Sequence, residues 1–392
     1  MIPNVSKVSI IGAGHTRFGR LSQNLEELIT EATQEALADA GVAAADVDAI
    51  FVGHFNSGLV SDGFPSSLVH QADPGFRFTP AARMENACAS GSAAIFAGLN
   101  AILSGQAETV LVVGVEKMTS RSTAEVTTAL AGAGYQNDEF EASLSFPDVF
   151  ALAARTYAER YGDPLPAMAK IASKNHMNAM KNPLAQMHRP MTPEQANTVT
   201  EKNPVISAPL RLSDCSLISD GAAAIVLTTT ERAKDFPRAV QFKAAVHVSD
   251  SLPMTGRDVI SFEGPARAIG KAYEQAGVTV GDLSFAEVHD CFTIAELLIY
   301  EAMGLAEKGK GAEAIDSGRV LAEGSLPVNL SGGLKAKGHP VGATGVSMHA
   351  LSYRQLTGQA GEMQLADPRN ALIFNMGGAA VANYATILSR RD

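Results

Sequence analysis

Cys88 lies in the run Met84-Glu85-Asn86-Ala87-Cys88-Ala89-Ser90-Gly91-Ser92-Ala93-Ala94, which delivers a thiol to the start of a small-residue helix continuing through Ile95, Leu99 and Leu103. Unpaired backbone N–H groups and the positive end of the helix dipole at that point favour a thiolate, so the segment predicts a lowered thiol pKa and a nucleophile. The other use of such a residue is as a small buried hydrophobe. In Glu287-Val288-His289-Asp290-Cys291-Phe292-Thr293 an apolar strand stops and a helix begins, which puts His289 and Cys291 at the edge of a cleft. A structural histidine beside a buried thiol fits the same letters.

Two glycine-rich segments offer backbone groups to a ligand. Asn329 to Gly345 contains Gly338, His339 and Pro340. Its glycines predict an irregular loop that approaches a ligand closely and is stiffened after His339, the alternative being a surface loop with a solvated histidine. It lacks the spacing of a P-loop. Asn375-Met376-Gly377-Gly378-Ala379-Ala380 reads as a turn between the last two strands, either a plain hairpin or a donor of backbone N–H to a developing oxyanion. Gly12-Ala13-Gly14 lacks the third glycine and the immediate helix of a dinucleotide site. Cys88, Cys215 and Cys291 are odd in number with no CxxC pair, so they read as reduced thiols, with no metal expected.

The elements that must position these groups alternate. Lys7 to Gly12 reads as a strand, and Leu25 to Ala40 as an amphipathic helix with Asn24 and Glu27 at capping-box spacing and Gly41 as its stop. Strands at 49–53 and 110–114 flank the Cys88 helix. From Lys117 to Pro209 the rhythm breaks into helices at 146–161 and 167–180 with no convincing strand, and a strand returns at 222–229. A second half repeats the plan: strand 239–248, helix 265–276, strand 285–288, helix 294–303, helix 346–356, then strands 371–375 and 381–388. The reading is an α/β fold of two similar layered halves: 1–116 and 210–236 form the first, 117–209 an inserted, mostly helical lobe, and 237–392 the second. Letter similarity between the halves is too weak to establish a repeat.

Composition narrows the class. The chain has 392 residues, 46% hydrophobic and 18% charged, with 35 glycines, enough for a large core. A formal net charge of −10 argues against a nucleic-acid footprint and leaves small molecules and proteins as partners. No run is long enough to cross a bilayer and the N-terminus has no leader pattern, so a cytoplasmic location is expected.

Together the segments resemble the thiolase superfamily over nearly the whole chain. Asn86 to Gly91 is similar to its nucleophile segment, Ser219-Asp220-Gly221-Ala222-Ala223-Ala224 to its SDGAAA strand entry, and Gly338-His339-Pro340-Val341-Gly342-Ala343-Thr344-Gly345 to its GHPxGATG loop. His289-Asp290-Cys291-Phe292 resembles the HDCF box of sterol-carrier-protein-2 type and archaeal thiolases. Asn375-Met376-Gly377 stands where ordinary thiolases carry a CxG cysteine, and the resemblance assigns that acid/base role to Cys291. It implies the thiolase fold and an acyltransferase that makes or cleaves a 3-oxoacyl-CoA through an acyl-Cys88 intermediate. His339 would be the base, the N–H groups of Cys88 and Gly377 would hold the acyl oxyanion, and His289 and His339 would polarise the enolate-forming thioester. Coenzyme A and its thioesters enter as substrates, with no further cofactor. A homodimer or tetramer is implied, and in some relatives a small zinc-containing OB-fold partner. The lobe, with Asn175-His176 and Asn182-Pro183, would shape the acyl pocket. Rival readings are a thiolase-like aldolase, a decarboxylative condensing enzyme, or a non-catalytic acyl-CoA or lipid-binding subunit.

Overall fold

Alternating apolar strands and amphipathic helices build a mixed nine-stranded sheet in the computed structural model, which describes residues 4–391. The strands are β1 (Val8–His15), β2 (Ala49–Gly53), β3 (Ala81–Met84), β4 (Thr109–Glu116), β7 (Gly221–Thr229), β8 (Val240–Ser249), β9 (Phe285–Val288), β10 (Asn370–Gly377) and β11 (Ala382–Arg390), with β5 (Val205–Ser207) and β6 (Leu210–Arg211) forming a separate hairpin. Helices of eight or more residues are α1 (Leu25–Ala40), α2 (Ser90–Leu103), α3 (Thr123–Ala131), α4 (Phe146–Tyr161), α5 (Leu165–Ala179), α6 (Glu263–Ala276), α7 (Thr293–Ala302) and α8 (Thr344–Leu356). The α1 boundaries follow the local chemistry: Asn24 and Glu27 cap each other's N–H groups, and Gly41, at φ 68°, ends the helix.

The sheet order, β3-β2-β4-β7-β1-β8-β11-β10-β9, contains a repeat that the letters hide. Outward from β1 the pairings run antiparallel to β7, antiparallel to β4, parallel to β2 and parallel to β3. Outward from β8 they run antiparallel to β11, antiparallel to β10 and parallel to β9, and a parallel bridge from Ala286 to Val328 completes the set. The halves meet where Ser9 and Ile10 of β1 pair with Gln241 and Val240 of β8. Within the first half, Ile10, Val110 and Ile225 face α2, while Ile11, Leu111 and Val226 face α1, as strand alternation requires.

Chain order sets the site. In each half a helix follows the outermost pairing, α2 after β3 and α8 after the Val328 bridge, and these two helices pack on each other. Cys88 and His339, which precede them, therefore occupy equivalent places that the packing brings together. His54 and His289 likewise follow the equivalent strands β2 and β9. Between β4 and β7 the chain makes the excursion 117–220, where the second half has only the short turn from β10 to β11.

Several local expectations change. β3 escapes the sequence pattern because Ala81-Ala82-Arg83-Met84 has no β-branched residue, and the β5–β6 hairpin supplies strands in a region expected to have none. Asn329 to Gly345 is no irregular surface loop: all of it is buried, with one π-helical turn at Gly333–Lys337. The Asp290 carboxylate accepts the Leu334 and Lys335 N–H groups at 2.6 and 3.1 Å, while Asn178 and Asn182 donate to the carbonyls of Asn329 and Ser331. Gly12 and Gly14 serve helix packing. A Cβ at Gly14 would lie 2.0 Å from Ala32 O of α1.

Candidate active site

The nucleophile segment is held by its own side chains. Ala87 sits at φ 50°, the Ser90 hydroxyl accepts the Asn86 N–H and donates to Ala87 O, and α2 begins only at Ser90. Cys88 thus stands two residues ahead of the helix. The expected lowering of its pKa is overturned: burial first, and the charge of Glu116 second, push the thiol up to about 12. The N–H groups of Gly378 and of Cys88 itself point at the sulfur and offset part of that. Gly377, expected as the oxyanion donor, is the last residue of β10; a Cβ there would stand 2.4 Å from Asn86 O.

Cys88, His289 and His339 bring their sulfur and ring nitrogens within 4.8 Å of one another, and the two imidazoles meet edge to face with centroids 5.1 Å apart. Their surroundings give them opposite tautomers. Ser92 donates to Asn375 Oδ1 at 2.7 Å, which leaves the Asn375 amide NH2 facing His289 Nδ1 at 2.9 Å and the Cys88 carbonyl at 3.3 Å. Nδ1 must accept, so His289 carries its proton on Nε2. His339 Nδ1 faces Thr344 Oγ1 at 2.7 Å, and that hydroxyl donates to Pro340 O at 3.1 Å. Nδ1 must donate, so His339 Nε2 is left with its lone pair. Both Nε2 atoms are buried without a protein partner.

Burial holds both rings neutral, pushing His339 down to about 3 with Lys337 assisting, and His289 far below its ordinary range with His339 assisting. One ring is therefore a ready donor and the other a ready base. The main chain of His339 is fixed by its N–H to the Ser219 hydroxyl at 3.0 Å.

These groups open onto a cavity of about 350 Å3 that Cys291 also lines, its thiol pushed well up by burial and by the neighbouring Cys88 and Asp290. The lobe walls the cavity through Val126 and Leu130 of α3, Phe146 and Ile206. The expected lobe residues lie elsewhere. Asn175 donates to Asp290 and Glu296, His176 is bound to Arg189 O, and Asn182 ties down Ser331, so they position loops.

By distance, Cys88, His289 and His339 could close on a zinc ion, which needs ligand lone pairs at about 2.0–2.3 Å. The proton on His289 Nε2 removes one ligand, and Asn375 prevents the tautomer from reversing, so the residues do not fit a metal.

Sequence reasoning overlooked Glu116, Ser92 and Thr344. The signal for Glu116 is a carboxylate ending the otherwise apolar strand β4; the two hydroxyls carry no signal in the letters.

Fold and site define a layered α/β protein with a cysteine and two oppositely protonated histidines where two like halves meet. The chain belongs to the thiolase family: the thiolase N-terminal domain matches residues 8–231 and the thiolase C-terminal domain-like family residues 246–390. It is 39% identical over 388 residues to an acetyl-CoA acetyltransferase of Methanothermobacter thermautotrophicus, covering 98% of this chain and 99% of that one. It is 32% identical to human sterol carrier protein 2 over 398 residues, 96% of this chain and 71% of the relative. Among solved structures, the Ltp2-ChsH2(DUF35) aldolase superposes with a TM-score of 0.81 at 24% identity, covering 99% of both chains. Human mitochondrial 3-ketoacyl-CoA thiolase in complex with CoA gives 0.74 at 20%, again over 99% of both. The α/β fold is the thiolase fold.

Proposed function

We propose that the protein is an acyltransferase that cleaves or makes a 3-oxoacyl-CoA through an acyl-Cys88 intermediate. The observation that carries this is the opposite proton placement on His289 and His339 around one thiol. In the cleavage direction, His339 Nε2 takes the Cys88 proton as the sulfur attacks the 3-oxo carbon, and the N–H groups of Cys88 and Gly378 face the oxygen where charge develops. The carbon–carbon bond breaks, His289 Nε2–H donates to the thioester oxygen of the departing enolate, and Cys291, held as a neutral thiol, protonates its carbon. The Cys291 thiolate then takes the proton of free coenzyme A, whose sulfur attacks acyl-Cys88. The released Cys88 sulfur recovers its proton from His339. Synthesis runs the same steps backwards.

The substrates in this reading are coenzyme A and its thioesters, with no other cofactor. Assembly as a homodimer or tetramer belongs to the same reading and is supported by β3, the free edge of the sheet, whose four residues are all half-buried. A small zinc OB-fold partner and a cytoplasmic location are further parts of it; no helix among the described residues is long and apolar enough to cross a membrane. The test is thiolysis of a 3-oxoacyl-CoA series. Coenzyme A-dependent cleavage that Cys88→Ala abolishes supports the reading. Cleavage of a 3-hydroxyacyl-CoA without coenzyme A that survives Cys88→Ala replaces it with an aldolase, and carbon dioxide release from a malonyl-type thioester with a condensing enzyme. No turnover, with thioester binding unaffected by Cys88→Ala, makes it a binding subunit.

A further inference from the structure

The loop that carries His339 lies against the backbone of the first half of the molecule at Gly342. A Cβ on Gly342 would lie 2.4 Å from Val115 O, 2.8 Å from Glu116 Oε2 and 2.9 Å from Gly53 O, so the loop is seated against the ends of β2 and β4. Glu116 is fully buried at that contact. Its Oε2 accepts the N–H of Phe55 at 2.9 Å and of Gly342 at 3.0 Å; its Oε1 accepts the N–H of Asn56 at 3.0 Å and lies 3.2 Å from His54 Nε2. Phe55 in turn packs in the apolar cluster that holds Ala87, Cys88 and Val341. The segment it anchors is strained, with Asn56 at φ 61° and Ser57 at φ 45°.

We propose that Glu116 is the positioning residue that sets Cys88 and His339 against each other, one carboxylate holding the loop after β2, the end of β4 and the 338–345 loop in a fixed arrangement. The proposal rests on the acyl-transfer reading for what that arrangement is for. No side chain other than an ionised carboxylate satisfies the position. Each oxygen faces a backbone N–H, so an amide NH2 in either place meets a donor head-on. The charge has a second effect. Among the ionisable groups around Cys88, Glu116 and Glu85 oppose ionisation of the thiol, Glu116 the more strongly, while Cys291, His289 and His339 are neutral. Glu116 itself faces His54. Glu116 therefore disfavours a free thiolate in the resting site and makes proton transfer to His339 part of the attack.

The experiment compares the parent protein with Glu116→Gln in two readouts: single-turnover acylation of Cys88 by acyl-CoA thioesters, and the pH dependence of Cys88 alkylation by iodoacetamide. Acylation is expected to slow about 100-fold, as for an ångström-scale misplacement of reacting groups. The alkylation profile is expected to move to lower pH by about one unit as the opposing charge is lost. Acylation within threefold of the parent overturns the proposal, and so does slower acylation with an unmoved profile, because general loosening alone would produce that. If Glu116→Gln does not fold, Glu116→Asp keeps the charge and shortens the reach. It should slow acylation at least tenfold with the parental alkylation profile, and acylation within threefold overturns the proposal. Should no thioester acylate the parent, the acyl-transfer reading fails, while the alkylation profile still tests the hold of Glu116 on Cys88.

Discussion

Replacing Thr344 by valine removes one oxygen and keeps the shape, which isolates the contribution of a single hydrogen-bond acceptor. The Thr344 hydroxyl is the acceptor that holds the His339 proton on Nδ1 and leaves Nε2 free to take the Cys88 proton. In Thr344→Val the tautomer with the proton on Nδ1 leaves a buried N–H without a partner, a penalty of about 1–3 kcal/mol. The other tautomer has no base at Nε2. Taking about 1.4 kcal/mol as tenfold in an equilibrium, the active form falls by roughly 5- to 150-fold. Single-turnover acylation of Cys88, followed by quenched-flow mass spectrometry, should slow by that factor, and Thr344→Ser, which restores the oxygen, should recover most of it. In the parent the rate should show no inflection between about pH 5 and pH 9, since the His339 base titrates near 3 and the Cys88 thiol near 12. Thr344→Val acylating within threefold of the parent, or Thr344→Ser as slow as Thr344→Val, would refute the tautomer assignment.

Other consequences are as direct. Cys291→Ala should keep Cys88 acylation by simple acyl-CoA within about tenfold while thiolysis of 3-oxoacyl-CoA falls by at least about 100-fold, the scale of one lost acid–base group; equal losses in both assays would remove the division of roles. His339 and His349 are held neutral by burial, at about 3 and about 4, below the ordinary histidine value of 6.5. The stability they contribute is complete above pH 6.5 and is lost as the pH falls towards those values, about 2 kcal/mol each by pH 5; chemical unfolding at pH 7 and pH 5 reads their sum together with that of His15, His176 and His289, which burial lowers likewise. Cys88, raised from 9 to about 12, works on the alkaline side, where stability is lost as the pH climbs from 9. Gly91→Ala would put a Cβ 2.8 Å from Gly342 O and 2.9 Å from Val346 N, both backbone, so it should lower stability by about 1–3 kcal/mol and slow acylation as α2 and α8 are forced apart. Leu130→Trp, filling the cavity from α3, should abolish acylation by long thioesters and spare acetyl-CoA.

What was legible in the sequence was whatever the local chain encodes. Capping at Asn24, the helix Phe146–Tyr161 and the strand Phe285–Val288 follow from periodicity and neighbouring polar residues. The histidines and cysteines of the site stand out because few residues of those types lie at element ends. What remained hidden depends on contacts distant in sequence. Ser92 orients the Asn375 amide that sets the His289 tautomer only once α2 packs beside β10, while Thr344 is five residues from His339 and meets its ring through the turn the loop makes on entering α8. Helix-end donors alone favour a low Cys88 pKa; the burial and the Glu116 charge that outweigh them exist only in the fold. The glycines of Asn329–Gly345 suggest an irregular loop, close to a ligand or on the surface. In the fold those glycines let backbone cross backbone in the interior. The repeat of the two halves is written in strand order and direction, which no comparison of letters displays.

The most direct test of the account is intact-protein mass spectrometry of the parent chain and of Cys88→Ala after incubation with a panel of acyl-CoA and 3-oxoacyl-CoA thioesters, with peptide mapping of any product. One acyl group is expected, mapped to Cys88, transferable to added coenzyme A and absent in Cys88→Ala. An unmodified parent protein across the whole panel, or an acyl group that persists in Cys88→Ala, would contradict it.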